Sequence, residues 1–214
     1  MPFWNRQGLL DRSLVAYRRL YPDLEISVCD DGSTPPVVAP GCIVTSLPVK
    51  KRPLSACTPM NAAVRASTRD IICLTNPECE HRDDVFSKML AMLETENDYV
   101  ASPVWDVDLD HLLVGPGVLR PEDDCWKPQG SLFHYCAIMH RSLFERVGGI
   151  DESYRNGWAY EDTDLLWKLY EAGARFRVSD TLVYHSQTSH KFKSLKPRSN
   201  RDKIEERRRH RFGS

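Results

Sequence analysis

Two short apolar runs, each cut off by a polar turn, constrain this chain more than any other feature. Residues 24–29 (LEISVC) are too few for a helix and too apolar for a surface segment, so they read as a buried strand. The run stops at Asp30-Asp31-Gly32-Ser33, a turn signal. Residues 71–74 (IICL) repeat the arrangement and are broken by Thr75-Asn76-Pro77-Glu78. Upstream, Leu9, Leu10, Leu14, Tyr17 and Leu20 share one face of an amphipathic helix that Pro22 ends. Buried strands alternating with amphipathic helices predict an α/β fold, a Rossmann-like, mostly parallel sheet flanked by helices. In such sheets ligands lie beyond the carboxyl ends of the strands. Asp30-Asp31 and Asn76-Pro77-Glu78 are therefore expected on one edge, at one site.

The rest of the chain continues the alternation. The pattern predicts a weak strand over 42–45, helices over 61–66 and 83–93, and a strand over 99–102. Residues 105–129, rich in Pro, Gly and acid, read as irregular. A strand over 132–139, a short helix over 142–147 and extended stretches at 176–178 and 182–184 follow. A length of 214 residues suits one domain. Lys and Arg total 29 against 30 Asp and Glu, which gives no pull towards nucleic acid. No run is apolar enough for a membrane span, and no signal-peptide core follows Met1. Seven cysteines without paired spacing, Cys29, Cys57, Cys73 and Cys136 among them in apolar stretches, read as reduced core residues of a cytoplasmic protein.

The second informative segment is 148–173, GGIDESYRNGWAYEDTDLLWKLYEAG. Leu165, Leu166, Leu169 and Ala172 recur at helical spacing, so Glu161-Asp162-Thr163-Asp164 sits at a helix mouth. Alone, such an acidic run is most simply a cap. Free N–H groups and the helix dipole there favour a negative charge, which predicts an ionised carboxylate, the form a general base needs.

Asp30-Asp31-Gly32-Ser33 after a strand resembles the nucleotide-binding turn of glycosyltransferase family 2. Gly148-Gly149-Ile150-Asp151-Glu152, then Glu161-Asp162-Thr163-Asp164-Leu165, then Ala172-Gly173 resembles that family's acceptor and catalytic segment. The order and intervals agree over roughly residues 1–190. The resemblance implies a GT-A fold in a single domain, 1–190, with a nucleotide-sugar half (1–100), an acceptor half (101–190) and a basic tail (191–214). It implies inverting transfer of a sugar, with a UDP-sugar expected as donor, to the hydroxyl of a glycan or other acceptor.

The resemblance also distributes roles. Asp30 and Asp31 would accept hydrogen bonds from base and ribose. Asn5 and Arg6 resemble polar residues beside the nucleotide, and Asn61 matches an asparagine near the donor, with helix capping as its other reading. Asp162 is the expected base, with Glu161 as the alternative or as an acceptor ligand. Trp158 and Tyr160 would stack on an acceptor sugar. The usual Asp-x-Asp metal motif is absent after residues 71–74. Asn76 and Glu78 stand there instead, and His185 matches a family histidine that completes a metal site, so a Mn²⁺ or Mg²⁺ ion held by Glu78, Asn76 and His185 is expected. The rival is neutralisation of the diphosphate by Lys191, Lys193, Lys196 and Arg198 of the tail, which otherwise reads as solvated. Asp106, Asp108 and Asp110 carry the Asp-x-Asp letters but read as a solvated acidic loop. His81, His111, His134, His140, His190 and His210 have no evident partner in the pattern.

A fold of this kind opens with a buried strand, yet the helix pattern begins by Gly8. The sequence therefore predicts either a start at an internal methionine or a shortened first strand. Two other functions stay open: a non-catalytic nucleotide- or glycan-binding module that has lost the metal motif, and a sugar nucleotidyltransferase. The latter would need a Gly-rich phosphate loop near the N-terminus, which is not found.

Overall fold

The computed structural model describes residues 1–48, 55–114, 134–186 and 200–212. The first half of the chain opens with β1 (Pro2–Phe3), α1 (Gln7–Leu20), β2 (Ser27–Asp30), β3 (Ile43–Ser46) and α2 (Cys57–Ala66). Next come β4 (Ile71–Thr75), β5 (Cys79–Glu80), α3 (Phe86–Leu90) and β6 (Asp98–Ala101). The second half holds β7 (Val104–Asp106), β8 (His111–Val114), β9 (Cys136–His140), α4 (Arg141–Arg146), a 3₁₀ turn (Glu152–Asn156), α5 (Glu161–Glu171), β10 (Arg175–Val178), β11 (Val183–His185) and α6 (Arg201–Phe212).

The strands form three sheets, β1-β2-β3, β10-β6-β9-β4 and β5-β11-β7-β8. The first is wholly parallel, with Pro2 opposite Cys29 and Ser27 opposite Ile43. In the second, β10 and β6 are parallel while β9 runs antiparallel to both β6 and β4. The α/β architecture agrees with the sequence pattern, but only the first sheet is wholly parallel; β4 and β5 pair antiparallel in the two mixed sheets. Several local expectations change. α2 begins at Cys57, four residues before the predicted start, and α3 is five residues long. Part of the stretch read as irregular is the antiparallel pair β7–β8, in which Asp106 lies opposite His111.

Two apolar clusters hold the molecule. The larger joins Leu165, Leu166 and Leu169 of α5 to Tyr99, Ile138 and Met139 of the central strands. The smaller joins Phe3, Leu10, Tyr17 and Val28. β1 contributes Phe3 to the smaller cluster. A cleft of about 600 Å³ lies beside it, lined by residues from Leu24 to Ser27 and from Ile71 to Cys73.

The basic C-terminus also differs from its sequence reading. Over residues 201–212 it is a packed helix, not a solvated tail: Ile204 is buried in the larger cluster. Asn200 Nδ2 donates to the carbonyls of Tyr154 (3.0 Å) and Ala159 (3.1 Å), and its side chain fills the space a Cβ at Gly157 would need. Arg207 pairs with both Asp151 and Asp164. Lys191, Lys193, Lys196 and Arg198 lie outside the described residues. No helix among the described residues is long and apolar enough to cross a membrane.

Candidate active site

The turn after β2 is tied together by its own side chains. Asp30 Oδ1 accepts from Ser33 N (2.8 Å) and Oδ2 from Val37 N (2.9 Å), so this carboxylate is spent on shaping the turn. Asn5, in the left-handed region at φ 49°, accepts on Oδ1 from Thr34 N (3.0 Å), while its own N–H donates to Ser33 Oγ (3.0 Å). Asp31 is buried beside it, its N–H bonded to Phe3 O (2.8 Å). The structure thus brings Asn5, Asp30 and Asp31 together at the carboxyl ends of β1 and β2.

Asn61 is neither a cap nor close to the start of its helix. It lies in the second turn of α2, and its amide makes a two-way bond with Ile150: Nδ2 donates to Ile150 O (2.7 Å) and Oδ1 accepts from Ile150 N (3.0 Å). Gly149 is held against it. A Cβ there would lie 2.9 Å from Asn61 Oδ1 and 3.0 Å from the Phe144 ring, and φ is +63°. Gly149 therefore allows the close approach by which the second half of the chain is fastened to α2.

After β4 the chain turns through Asn76 to Glu78, and Glu78 meets Arg6 and His185. Arg6 donates to Glu78 Oε1, and His185 Nε2 lies 3.7 Å from the same oxygen. Burial opposes ionisation of Glu78, but the hydrogen bonds and charges of His185 and Arg6 prevail and hold its carboxyl down at about 2. His185 Nδ1 lies 3.3 Å from Asp106 Oδ2. Asp106 is fully buried, and its Oδ1 accepts from the N–H groups of Asp108 and Leu109 (both 2.9 Å). The solvated-loop reading thus holds for Asp108 and Asp110, which are exposed, and fails for Asp106. The signal was in the sequence: Asp106 ends an apolar Val-Trp pair, as Asp30 ends its own strand.

These residues fit a divalent ion in two respects. With Nδ1–H donated to Asp106, His185 presents its Nε2 lone pair, the arrangement that orients metal-binding imidazoles. Glu78 Oε2 is buried and has no hydrogen-bond partner. Among the described residues no cluster of three or more His, Cys, Asp or Glu side chains is placed to hold a metal. Glu78 and His185 would thus be two ligands of a site completed by substrate and water oxygens. The side chain of Asn76 is half-buried.

At the mouth of α5, Ala159 (φ 66°) and Tyr160 (φ 74°) both adopt the left-handed conformation, uncommon for residues other than glycine. Asp164 lies in the first turn of α5: it is fully buried, its N–H bonds to Tyr160 O (3.0 Å), and its carboxylate accepts from Arg207 Nη1 (2.8 Å). Glu161 is buried and reaches the start of α2, where Oε1 accepts from Ala56 N (3.4 Å). Burial, and then the neighbouring Asp162, push its carboxyl up to about 7. Burial alone pushes Asp162 up to about 6. The helix mouth was expected to keep Asp162 ionised; desolvation raises its pKa against that influence, and a carboxyl near 6 is still mostly ionised at neutral pH. Trp158 is exposed and Tyr160 half-buried on the same loop.

Tyr135 joins the two groups. Its ring stands edge-on to His185 at 4.9 Å, and its hydroxyl is pushed up to about 12 by burial and then by the charges of Asp162, Cys79, Glu78 and Asp106. Its hydroxyl thus lies within electrostatic reach of both the Glu78–His185–Asp106 group and Asp162 at the helix mouth. Sequence reasoning missed Tyr135, since a tyrosine inside a predicted strand carries no distinguishing pattern. It also left His81 and His134 without partners, whereas His81 bonds to Tyr21 (3.0 Å) and His134 to Tyr99 (2.7 Å).

The sequence model described as Glycosyl transferase family 2 matches residues 1–148. This chain belongs to glycosyltransferase family 2. A curated relative, the pre-mycofactocin glycosyltransferase of Mycobacterium tuberculosis (strain CDC 1551 / Oshkosh), is 28% identical over 205 residues, covering 85% of this chain and 40% of that protein. The family 2 chain thus spans less than half the length of that relative. Among solved structures, the mannosyltransferase PcManGT of Pyrobaculum calidifontis in complex with GDP-Man and Mn²⁺ superposes with a TM-score of 0.60 at 18% identity, over 89% of this chain and 56% of that one. GalNAc-T7 with UDP, GalNAc and Mn²⁺ superposes with a TM-score of 0.66 at 13% identity, over 92% of this chain and 44% of that one. The fold is GT-A.

Proposed function

We propose that this protein transfers a sugar from a nucleotide diphosphate sugar, a UDP-sugar in the first instance, to an acceptor hydroxyl with inversion at the anomeric carbon. The observation that carries the reading is the convergence on Tyr135 of an acidic residue with a raised pKa, Asp162, and a counter-charge group, Glu78, His185 and Arg6. Asn5, Asp31 and the turn shaped by Asp30 would receive the nucleoside. Arg6 would stand beside the diphosphate, and Trp158 and Tyr160 would offer ring faces to an acceptor sugar. Asp162 would take the acceptor proton as the hydroxyl oxygen bonds to the anomeric carbon. The nucleoside diphosphate then leaves with the electron pair of the broken bond. A carboxyl near 6 is mostly ionised at neutral pH and is a stronger base than an ordinary aspartate. Glu78 and His185 would hold a divalent ion, Mn²⁺ or Mg²⁺, which when bound supplies positive charge to the departing diphosphate.

The complexes of PcManGT with GDP-Man and of GalNAc-T7 with UDP support this choice of donor class. A second reading, a nucleotide-binding module without transferase activity, draws support from Arg6, which already occupies Glu78 Oε1. A panel of UDP- and GDP-sugars with Mn²⁺ or Mg²⁺ separates the two. Turnover that Asp162→Asn abolishes supports transfer, whereas donor binding with no turnover supports the module.

A further inference from the structure

The start of α6 turns one side chain towards the mouth of α5. Asn200 stands at the N-cap position of α6, since its carbonyl accepts from Ile204 N (3.1 Å), the first bond of the helix. A capping asparagine offers its side-chain oxygen to its own helix. The amide nitrogen of Asn200 serves another segment: Nδ2 donates to Tyr154 O (3.0 Å) and Ala159 O (3.1 Å), and the backbone N–H donates to Trp158 O (3.1 Å). One residue thus holds three carbonyls of the stretch that leads into α5. That stretch is shaped to the contact. Gly157 has an extended backbone (φ −137°, ψ −178°) that any residue adopts, so its own conformation does not call for glycine. Asn200 does, because a Cβ at Gly157 would lie 2.6 Å from Asn200 Cγ. Ala159 and Tyr160, next along the chain, are left-handed, a conformation that persists in such residues only where the surroundings enforce it. Asp162 follows two residues later.

We propose that Asn200 is a positioning residue for the transfer reaction: from the start of α6 it fixes the loop 157–160, and through that loop the placement of Asp162 and of the Trp158 and Tyr160 rings. The inference rests on the transfer reading of the site. The rest of α6 supports the same contact, with Ile204 buried in the larger cluster and Arg207 paired with Asp151 and Asp164 on either side of the loop. Gly157 and Asn200 act as one device, the glycine making room for the amide and the amide setting the loop.

The test compares Asn200→Ala, Asn200→Asp, Gly157→Ala and the double variant Asn200→Ala/Gly157→Ala in the full chain. Leu14→Ala, which lowers stability from the smaller apolar cluster, is the control. Asparagine and aspartate cap helices about equally well, but a carboxylate has no N–H to give to the Tyr154 and Ala159 carbonyls. Asn200→Asp is therefore expected to be as damaging as Asn200→Ala. Each single variant is expected to lower kcat on the order of 10–100-fold with donor affinity unchanged, and to speed amide hydrogen exchange over residues 158–162 about tenfold or more. The double variant is expected to fall no further than either single one, because both remove the same contact. Leu14→Ala is expected to lower Tm and leave kcat and this exchange in place. A neutral Asn200→Asp makes the residue a cap and overturns the proposal. Losses that multiply in the double variant, or a kcat that follows Tm through every variant including Leu14→Ala, also overturn it. If the wild-type chain turns over no donor, it is the transfer reading that fails; the hold of Asn200 on the loop is then decided by exchange alone, supported by faster exchange in Asn200→Ala and Asn200→Asp and overturned by unchanged exchange.

Discussion

Glu78 and Asp162 both bear on Tyr135, and the protein treats them in opposite ways. Glu78 is largely buried but sits against Arg6 and near His185, and these contacts hold its carboxyl down at about 2. Asp162 is half-buried at the mouth of a helix that should favour its charge, yet desolvation lifts it to about 6. The local cations decide the difference, since desolvation acts on both in the same direction. Arg207, the guanidinium near the helix mouth, is engaged by Asp151 and Asp164. One carboxylate is thereby fixed as a permanent negative charge suited to holding cations, and the other is left with proton affinity. That separation is what a transfer reaction with a charged leaving group and a protonated nucleophile requires.

Breaking the Asp162 side should have the largest effect. Asp162→Asn is expected to lower the transfer rate by roughly 10²–10⁴-fold while donor affinity, measured by calorimetry, stays the same. Breaking the Glu78 side should instead appear in binding: Glu78→Gln is expected to weaken donor affinity about tenfold or more, because a charge-assisted contact is lost and Arg6 and His185 lose their partner. If both variants lose only rate, or both lose only affinity, the division of labour is wrong. Next in size is Arg207→Ala. It strands the fully buried Asp164 and should cost about 3 kcal/mol, a Tm drop of roughly 6–12 °C in a chain of this size. The matching Asp164→Asn in the Arg207→Ala background should restore part of it.

The pH dependence of stability should sharpen the contrast, because the two residues carry opposite signs. Glu78 has a folded pKa below its ordinary 4.5, so its stabilisation is present above that value and is lost as pH falls towards about 2. Asp162 has a folded pKa above its ordinary 3.8, so its contribution is present below that value and is lost as pH rises through about 6. Each is of order 2–3 kcal/mol. Asp162→Asn should therefore flatten the fall in unfolding free energy between about pH 4 and pH 6 without touching the acid limb. The smallest effect expected is that of Gly149→Ala. A left-handed φ and a 2.9 Å approach to Asn61 should cost roughly 1–2 kcal/mol and leave both pH limbs in place.

The parts of this site legible in the sequence are those written as a local interruption of a strong pattern. Asp30-Asp31-Gly32-Ser33 and Glu161 to Asp164 stand out because apolar periodicity stops or starts there. What was illegible depends on pairing between distant segments. Asp106 looked like one acid among three until β11 ran parallel to β7 and set His185 opposite it. Arg207 looked like one cation in a basic run until α6 packed its Ile204 inward and set the guanidinium over Asp151 and Asp164. Asn61 looked like a cap because helical starts attract asparagine, but its partner lies 89 residues away at Ile150. The raised pKa of Asp162 was illegible for a related reason: the dipole of its own helix is a local property, whereas desolvation comes from everything packed around it.

The measurement that bears most directly on the account is the pH profile of kcat/KM for sugar transfer, taken for the wild-type chain and for Asp162→Asn with donor affinity recorded alongside. The account predicts a wild-type rate that rises through a pKa near 6 and levels off by neutral pH, and an Asp162→Asn variant that binds donor equally well but has lost both the rise and most of the rate. A variant that keeps the wild-type rate, or keeps the rise near pH 6 while binding donor normally, would contradict it.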